Sequence, residues 1–416
     1  MERRSITTTL LAASLSCWLS SPVHAGEVFL LGAVPYAYAW SVSDDGRIVA
    51  GQDTASYWYW TRDEWVVPIF DSVPPGNGVG GQPRITADGS KMTCSFENPE
   101  TGKVEASLYD LALGEHQFLG SFGYGCDAER SGAWGMSRDG QHVVGLGWII
   151  GCDARGFSWD ASTGEMANLG TVFFLQSSRA NAVSDDGGTI SGWNDNYSGY
   201  RQAAAWIKNA EGAFVETALT GTGGVPLRES TAVSGNGQWV YGIGKSTLDN
   251  GAPWRWSQAT GYQAIPGSQS SSGSVGYVVD ANTDGSRVLC FFGMLGGGGG
   301  ALWTEGQGWK SIDDLAAESG SIVPDGWSLS MPLGMSEDGL TIVGTAWGPS
   351  GSSPFVLDMH EGVCQTDLDQ DGTVGASDLA IVLSSWDILG GSGDVNFDGV
   401  VDAEDLAAVL GTWGDC

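Results

Sequence analysis

One short turn motif recurs seven times at a nearly constant interval, and this repetition constrains the fold of the 416-residue chain more than any other feature. The motif, Ser/Thr-x-Asp-Gly or a close variant, appears first as Ser43-Asp44-Asp45-Gly46, Thr86-Ala87-Asp88-Gly89 and Ser137-Arg138-Asp139-Gly140. It returns as Ser184-Asp185-Asp186-Gly187, Ser234-Gly235-Asn236-Gly237, Thr283-Asp284-Gly285 and Ser336-Glu337-Asp338-Gly339. The turn glycines are separated by 43, 51, 47, 50, 48 and 54 residues. Asp-Gly and Asn-Gly between alternating apolar runs signal tight hairpins, because such turns need φ > 0.

Five residues after each turn glycine stands a small residue: Gly51, Cys94, Gly145, Gly192, Gly242, Cys290 and Gly344. The intervening chain is β-branched or apolar, as in Ile48-Val49, Val143-Val144 and Ile342-Val343. An aromatic strand follows, carrying Trp60, Trp159, Trp206, Trp256, Trp303 or Phe355, and several repeats end on a fourth segment such as Gln117-Phe118-Leu119-Gly120 or Ala167-Asn168-Leu169-Gly170. Four short strands per unit, seven units and a period near fifty predict a mainly β fold, a seven-bladed β-propeller over residues 26–361. The last repeat lacks its fourth strand, while Val28-Phe29-Leu30-Leu31-Gly32 is a spare one at the other end. Pairing the two closes the ring and removes two exposed sheet edges.

Composition agrees: 65 Gly and 19 Trp with only 16% charged residues suit short strands and glycine turns rather than a helical bundle. The formal net charge of −31 disfavours general nucleic-acid binding, whose sequence-independent affinity comes from Lys and Arg on phosphates. Anionic membrane surfaces are disfavoured for the same reason, and no run beyond the leader approaches the length of a membrane span.

The leader, residues 1–25, has a basic start at Arg3 and Arg4, an apolar stretch from Thr7 to Leu19, and small residues at Val23 and Ala25. It reads as a secretory signal cleaved before Gly26, which predicts an extracellular, periplasmic or cell-surface protein. Six cysteines remain after cleavage, an even number in an oxidising compartment. Cys364 and Cys416 bracket the last segment, and Cys126 and Cys152 bracket a strand pair. Cys94 and Cys290 sit at equivalent repeat positions and read as buried small residues rather than a bridge. Zinc ligation has no CxxC or His-pair signature here.

The segment Ala180-Asn181-Ala182-Val183-Ser184 through Gly192, followed by Ala204-Ala205-Trp206, resembles the HAF family of extracellular repeats. The resemblance implies a secreted, propeller-like array and assigns no activity. The turns are also similar to the Asp-box of sialidases, but the spacer between Asp and Gly is missing, so that function is not carried over.

After Cys364 the chain carries eleven acidic residues and no Lys or Arg. Two twelve-residue segments align with a shift of 27: Asp367, Asp369, Asp371, Gly372, Thr373, Gly375, Asp378, and Asp394, Asn396, Asp398, Gly399, Val400, Asp402, Asp405. Oxygen ligands at positions 1, 3, 5 and 12, a glycine at 6 and a carbonyl at 7 (Thr373, Val400) are what calcium requires, so two Ca²⁺ sites are predicted. Each loop precedes an apolar helical stripe: Leu379, Val382, Leu383, Trp386, and Leu406, Val409, Leu410, Trp413. Leu379, Leu383, Leu406 and Leu410 are expected to fill a small shared core. With no room for an entering helix and with Asp closing each loop, residues 362–416 resemble a type I dockerin, a small all-α calcium module. The resemblance implies a cohesin-like partner on an extracellular scaffold, with Ala376-Ser377 and Ala403-Glu404 at the positions that contribute to partner choice. A Cys364–Cys416 clasp would contribute on the order of 4 kcal/mol in the chain-entropy account.

Catalytic residues do not stand out. His116, His142 and His360 are isolated in sequence, and Asp45, Asp88, Asp139, Asp186, Asp284 and Asp338 read as turn formers because they recur in every unit. The row Trp159, Trp206, Trp256, Trp303 reads as blade packing rather than sugar stacking. The Gly296–Gly300 run lacks the strand and helix of a phosphate cradle. Two functions follow: a non-catalytic secreted propeller binding a glycan or protein and anchored by its calcium module, or a dockerin-bearing glycoside hydrolase or lyase acting on polysaccharide. Near-uniform repeats favour the first; a glycosidase carboxyl pair needs no local motif and stays open.

Overall fold

A computed structural model of the chain describes residues 26–32, 36–74, 81–123, 130–149, 151, 153–267 and 274–360. In the C-terminal segment it describes 366, 368–369, 373–386, 393, 395 and 401–415. The leader, Cys126, Cys152, Cys364 and Cys416 lie outside the described residues. No described helix is long and apolar enough to cross a membrane.

Seven antiparallel blades follow one another along the chain. Blade 1 consists of Tyr38–Val42, Ile48–Gln52, Tyr57–Thr61 and Trp65–Ile69, and blade 4 of Ser178–Val183, Thr189–Asp195, Arg201–Lys208 and Phe214–Ala218. Blade 7 combines Ser328–Met335, Thr341–Gly348 and Gly351–Asp358 with the N-terminal strand Glu27–Leu30, in the order of a closing clasp. Phe29 lies opposite Val356 and Leu30 opposite Phe355, so the ring closes as the repeat count requires.

Hydrophobic cores lie between the blades. Leu289 and Leu302 of blade 6 pack with Leu329, Ile342 and Phe355 of blade 7, and the helix Ile312–Glu318 in the connection adds Ile312 and Ala316. Val343 and Val356 of blade 7 pack with Ala39, Val49, Trp58 and Trp60 of blade 1. This last core exists only in a closed ring. Trp60, Trp159, Trp206 and Trp303 are buried in such cores and Trp256 packs partly buried against one, so the tryptophan row is packing.

The repeated turns explain themselves in hydrogen bonds. Ser184 donates its hydroxyl to Asp186 Oδ1 at 2.6 Å and accepts from Thr189 N at 2.9 Å, while Gly188 N donates to Asp186 Oδ1 at 2.8 Å. The same set recurs at Ser43–Asp45, Ser137–Asp139 and Ser336–Asp338. Gly187 sits at φ 63°, where a side chain is disfavoured. The hydroxyl of Thr86 leads the contacts that hold the Asp88 carboxyl below its usual range. These aspartates are turn formers.

The small residue on each second strand is explained by a bulge in the innermost strand. The register slips between Ala180 and Ala182 in blade 4, as it does at the matching place in blades 1, 3, 5, 6 and 7. The bulge drives a carbonyl toward the second strand; a Cβ on Gly192 would lie 2.0 Å from Arg179 O. Cys94 and Cys290 occupy this position as buried free thiols.

Blade 2 departs from the four-strand expectation, with only Lys91–Asn98, Lys103–Asp110 and Glu115–Gly120 as regular strands. Its inner segment makes a single bridge, Ile85 to Met92. Pro83 has no N–H for a ladder, and Arg84 N donates to the Thr93 hydroxyl instead of a carbonyl.

Candidate functional site

In each antiparallel blade the first–second and third–fourth strand turns lie at one end, and the second–third turns and interblade connections lie at the other. The first is the turn face, which carries the seven repeated motifs. Backbone bonds stitch neighbouring motifs together there, from Asp44 N to Ala87 O, Ala87 N to Arg138 O and Asp185 N to Gly235 O. The residue after each motif serine faces the axis. Arg138 reaches across it, donating to Asp44 and, at 2.6 Å, to Glu337 Oε2 of blade 7. Burial raises the Asp44 carboxyl above its usual range against the pull of Arg138, and burial likewise raises Asp185.

Behind this ring is an axial chamber of about 100 Å³, lined by residues of the inner strands. Two residues before each motif serine or its equivalent, the blades present Ser41, Gly135, Ala182, Ala232 and Gly334, all small. Blades 2 and 6 break the pattern with Arg84 and Asp280. Arg84 Nε donates to Trp134 O at 3.3 Å, and the Asp280 carboxylate accepts from Ala281 N and Met335 N at 2.9 and 3.0 Å. Burial lowers the Arg84 pKa and raises that of Asp280.

The loop face differs in kind. Of the propeller's exposed large apolar and aromatic residues among those described, all but Trp65, Leu113, Val215 and Leu340 lie there. Of the seven non-glycine residues at positive φ, all but Trp65 lie there as well. Four residues belong to both groups, three of them on the loop face, Tyr36 (φ 62°, 69% exposed), Leu175 (φ 61°, 66%) and Leu295 (φ 52°, 54%), and one, Trp65 (φ 60°, 45%), on the turn face. Bulky side chains at positive φ are genuine outliers, costing about 1–2 kcal/mol each.

Above blade 4 the exposed rings Tyr197 and Tyr200 occupy a turn held by Asn196, whose side chain accepts from Ser198 N and Tyr200 N. Beside them the Arg201 guanidinium lies 4.3 Å from the Trp193 ring, and Arg179 lies 3.5 Å from Trp134. Glu229 accepts from both arginines, which fixes the ladder. On the same blade, burial pushes the Glu216 carboxyl up to about 7 although Asn194 donates to it. Nothing in the periodicity of the sequence marked these loop residues.

The histidines are structural in setting. His116 stacks on Phe96 at 3.9 Å, and His142 lies 3.5 Å from Asp160. His360 is held by Asp358 at 2.7 Å and Asp338 at 3.0 Å, beside Arg62, which pairs with Glu27 and Asp358. The hydrogen bond that His360 donates to the Asp358 carboxylate chiefly raises the His360 pKa to about 9.

In the C-terminal segment, helices Ala376–Ser384 and Ala403–Gly411 pack around Val374, Val382, Val395, Val401 and Val409. The unit is not all α: Thr373–Val374 pairs with Gly414–Asp415 and ties its ends together. Leu379 and Leu406 pack against the core as expected, but Leu383 and Leu410 are 54% and 52% exposed, with Trp386 and Trp413 also exposed. The valines one position earlier take the inward place, because two short helices bury only a narrow stripe.

Of the proposed calcium ligands, Asp369, Thr373, Asp378, Asp402 and Asp405 are described; Asp367, Asp371, Asp394, Asn396, Asp398 and Val400 lie outside the described residues. Asp378 is buried and accepts from Leu368 N at 2.6 Å, Asp369 N at 3.0 Å and Gly375 N at 2.7 Å. Asp405 repeats this with Val395 N and Asp402 N at 2.8 Å. Burial raises the Asp378 carboxyl, yet its backbone donors outweigh that and hold it below the usual range. Each closing aspartate thus accepts a backbone N–H from ten residues earlier and another from the start of its own helix. Among the described residues alone, no group of three acidic, His or Cys side chains is assembled for a metal.

No protein-family model matches the chain, and no curated protein matches it in sequence. Solved structures do match. An oligogalacturonate lyase from Vibrio parahaemolyticus is 12% identical with a TM-score of 0.52, over 80% of this chain and 93% of that one. An oligogalacturonate lyase in complex with manganese gives 13% and 0.52, over 80% and 92%. TolB from Acinetobacter baumannii gives 14% and 0.39, with this chain spanning 78% of its own length and 64% of that protein. At such identities the likeness concerns architecture: the chain is, by fold, a seven-bladed β-propeller.

Proposed function

We propose that this chain is a secreted, non-catalytic propeller whose loop face binds an extracellular glycan, and that residues 362–416 anchor it to an extracellular assembly as a calcium-dependent, dockerin-like module. The observation that carries the first half is the coincidence of strain and exposed apolar surface on the loop face. Each is a cost to stability, and both gather where the turn face has almost none; such costs persist where function needs them. Tyr197 and Tyr200 supply flat apolar platforms, and Arg201 beside them supplies hydrogen-bond donors, a combination suited to sugar rings with hydroxyl groups at their edges. A protein surface is the alternative occupant, since Tyr and Arg also dominate protein interfaces.

For the second half, the twin pairs Leu383/Trp386 and Leu410/Trp413 give each helix the same exposed apolar patch. A cohesin-like domain is the partner proposed for it. Calcium acts by fixing the loops through Asp367, Asp369, Asp371, Asp378 and their counterparts in the second loop. Calorimetric titration of the full chain should show two calcium sites. Chelation should abolish capture of a cohesin domain, and binding that persists undiminished in chelator would contradict the docking proposal.

A second reading, a glycoside hydrolase or lyase, is favoured by one residue. Glu216, poised near 7, could serve as an acid or base near neutral pH. Incubation with polysaccharides, scored for bound polymer and for released reducing or unsaturated ends, separates the two. Retained polymer without product supports binding; products that vanish in Glu216→Gln support catalysis.

A further inference from the structure

The axial chamber is separate from the loop face and independent of the reading above. Its charged residues break an otherwise strict pattern: five blades place small residues at this layer, and only Arg84 and Asp280 intrude, from blades on opposite sides of the axis. Packing does not require them, since Ser, Gly or Ala serves in the other blades. The two charges attract each other across the chamber but do not meet as a direct ion pair. The Arg84 guanidinium bonds to protein only through Nε, so its two terminal nitrogens face the chamber without a protein acceptor. Those nitrogens keep access to the open space of the chamber, so a carboxylate entering from outside can replace water there.

The nature of that acceptor follows from the charges around it. A simple anion would meet Arg84 but also Asp280, Asp44, Asp185 and Glu337, of which Arg138 directly pairs with only Asp44 and Glu337. A simple cation would meet Asp280 and leave Arg84 unanswered. A molecule carrying one carboxylate and one ammonium group satisfies both ends. The chamber, about 100 Å³, holds several times the space one water needs. Arg138, Asp44 and Glu337 at its mouth are themselves partly exposed, which gives a small solute a way in.

We propose that the axial chamber binds a small zwitterion of amino-acid type, with its carboxylate on Arg84 and its ammonium group toward Asp280. The test is calorimetric titration of the full chain with glycine, β-alanine, acetate and methylammonium, at constant pH and ionic strength. One saturable site is expected for a zwitterion and none of comparable affinity for acetate or methylammonium. Arg84→Met and Asp280→Asn should each weaken binding about tenfold or more while circular dichroism stays unchanged. Should either single variant fail to fold, the double exchange Arg84→Asp with Asp280→Arg preserves the charge balance and should bind the zwitterion in reverse. No saturable heat with either zwitterion, acetate binding as tightly as glycine, or folded variants that bind like the parent would each overturn the proposal. Water alone then fills the gap.

Discussion

The two faces of the propeller are built from the same strands, yet they follow different rules. On the turn face, seven turns share one glycine geometry, five of them repeat the same hydroxyl–carboxylate bond, and backbone bonds stitch four of them to the next blade. On the loop face, positive-φ residues and exposed rings collect among the described residues. The difference teaches where constraint resides. The turn face sets the blade geometry, which frees the loop face to vary with less cost to the scaffold.

The sharpest way to break this contrast is to remove the closure that holds the scaffold together. Deleting residues 26–32 strips the clasp strand from blade 7 and removes Phe29 and Leu31 from the core it shares with blade 1. The expected loss is on the order of 5 kcal/mol, seen as a much lower melting midpoint or as aggregation through the freed edge. A truncated protein that melts like the parent would mean the ring does not depend on its clasp.

A smaller effect should follow from one turn. Ser184→Ala leaves Thr189 N without its acceptor and Asp186 with Gly188 N but no hydroxyl donor, at a cost of about 1–3 kcal/mol in urea unfolding. Ser336→Ala, in the equivalent bonds of blade 7, should cost the same within error. Unequal losses would show that the repeats are alike in sequence but not in energetics.

The pH dependence of the closure is weaker still. His360 is raised to about 9 by Asp358 and Asp338, so its contribution is fully present below its unfolded value near 6.5. The contribution fades as pH rises through about 9, when the imidazolium loses its proton. Solvent screening limits it to about 1 kcal/mol. The difference in melting midpoint between parent and His360→Gln should therefore be largest near pH 6 and shrink by pH 10; a constant difference would remove the ionic contribution.

The smallest effect has the opposite sign. Leu295→Gly relieves a positive-φ strain and loses little packing, so stability should hold or rise by about 0.5–1 kcal/mol. A clear loss would mean that the exposed leucine supports the loop rather than a ligand.

These contrasts also explain what the sequence made legible. The repeat, the ring closure, the turn aspartates and the buried tryptophans were readable because hairpin turns and strand alternation leave local patterns. The bulge was visible only as its consequence, the small residue at Gly192 and its equivalents. Arg84 and Asp280 were present in the aligned repeats, but their meaning depends on which strand face lines the axis, and the bulge decides that. The loop-face residues Tyr36, Leu175 and Leu295 carry no periodic signal, because exposure and φ are set by irregular backbone. The stripe at Leu383 and Leu410 misled for a related reason: helical spacing gives a face but not how much of it a small core can cover.

The most direct test of the account compares the two faces as binding surfaces. Purified parent, a loop-face variant (Leu175→Gly, Tyr197→Ala, Tyr200→Ala) and a turn-face variant (Leu113→Ser, Leu340→Ser) would be measured against a panel of immobilised polysaccharides under identical conditions. The account predicts that the parent retains at least one polymer, that the loop-face variant loses it with its melting midpoint intact, and that the turn-face variant binds like the parent. Equal binding by the two variants, or no retention of any polymer by the parent, would contradict it.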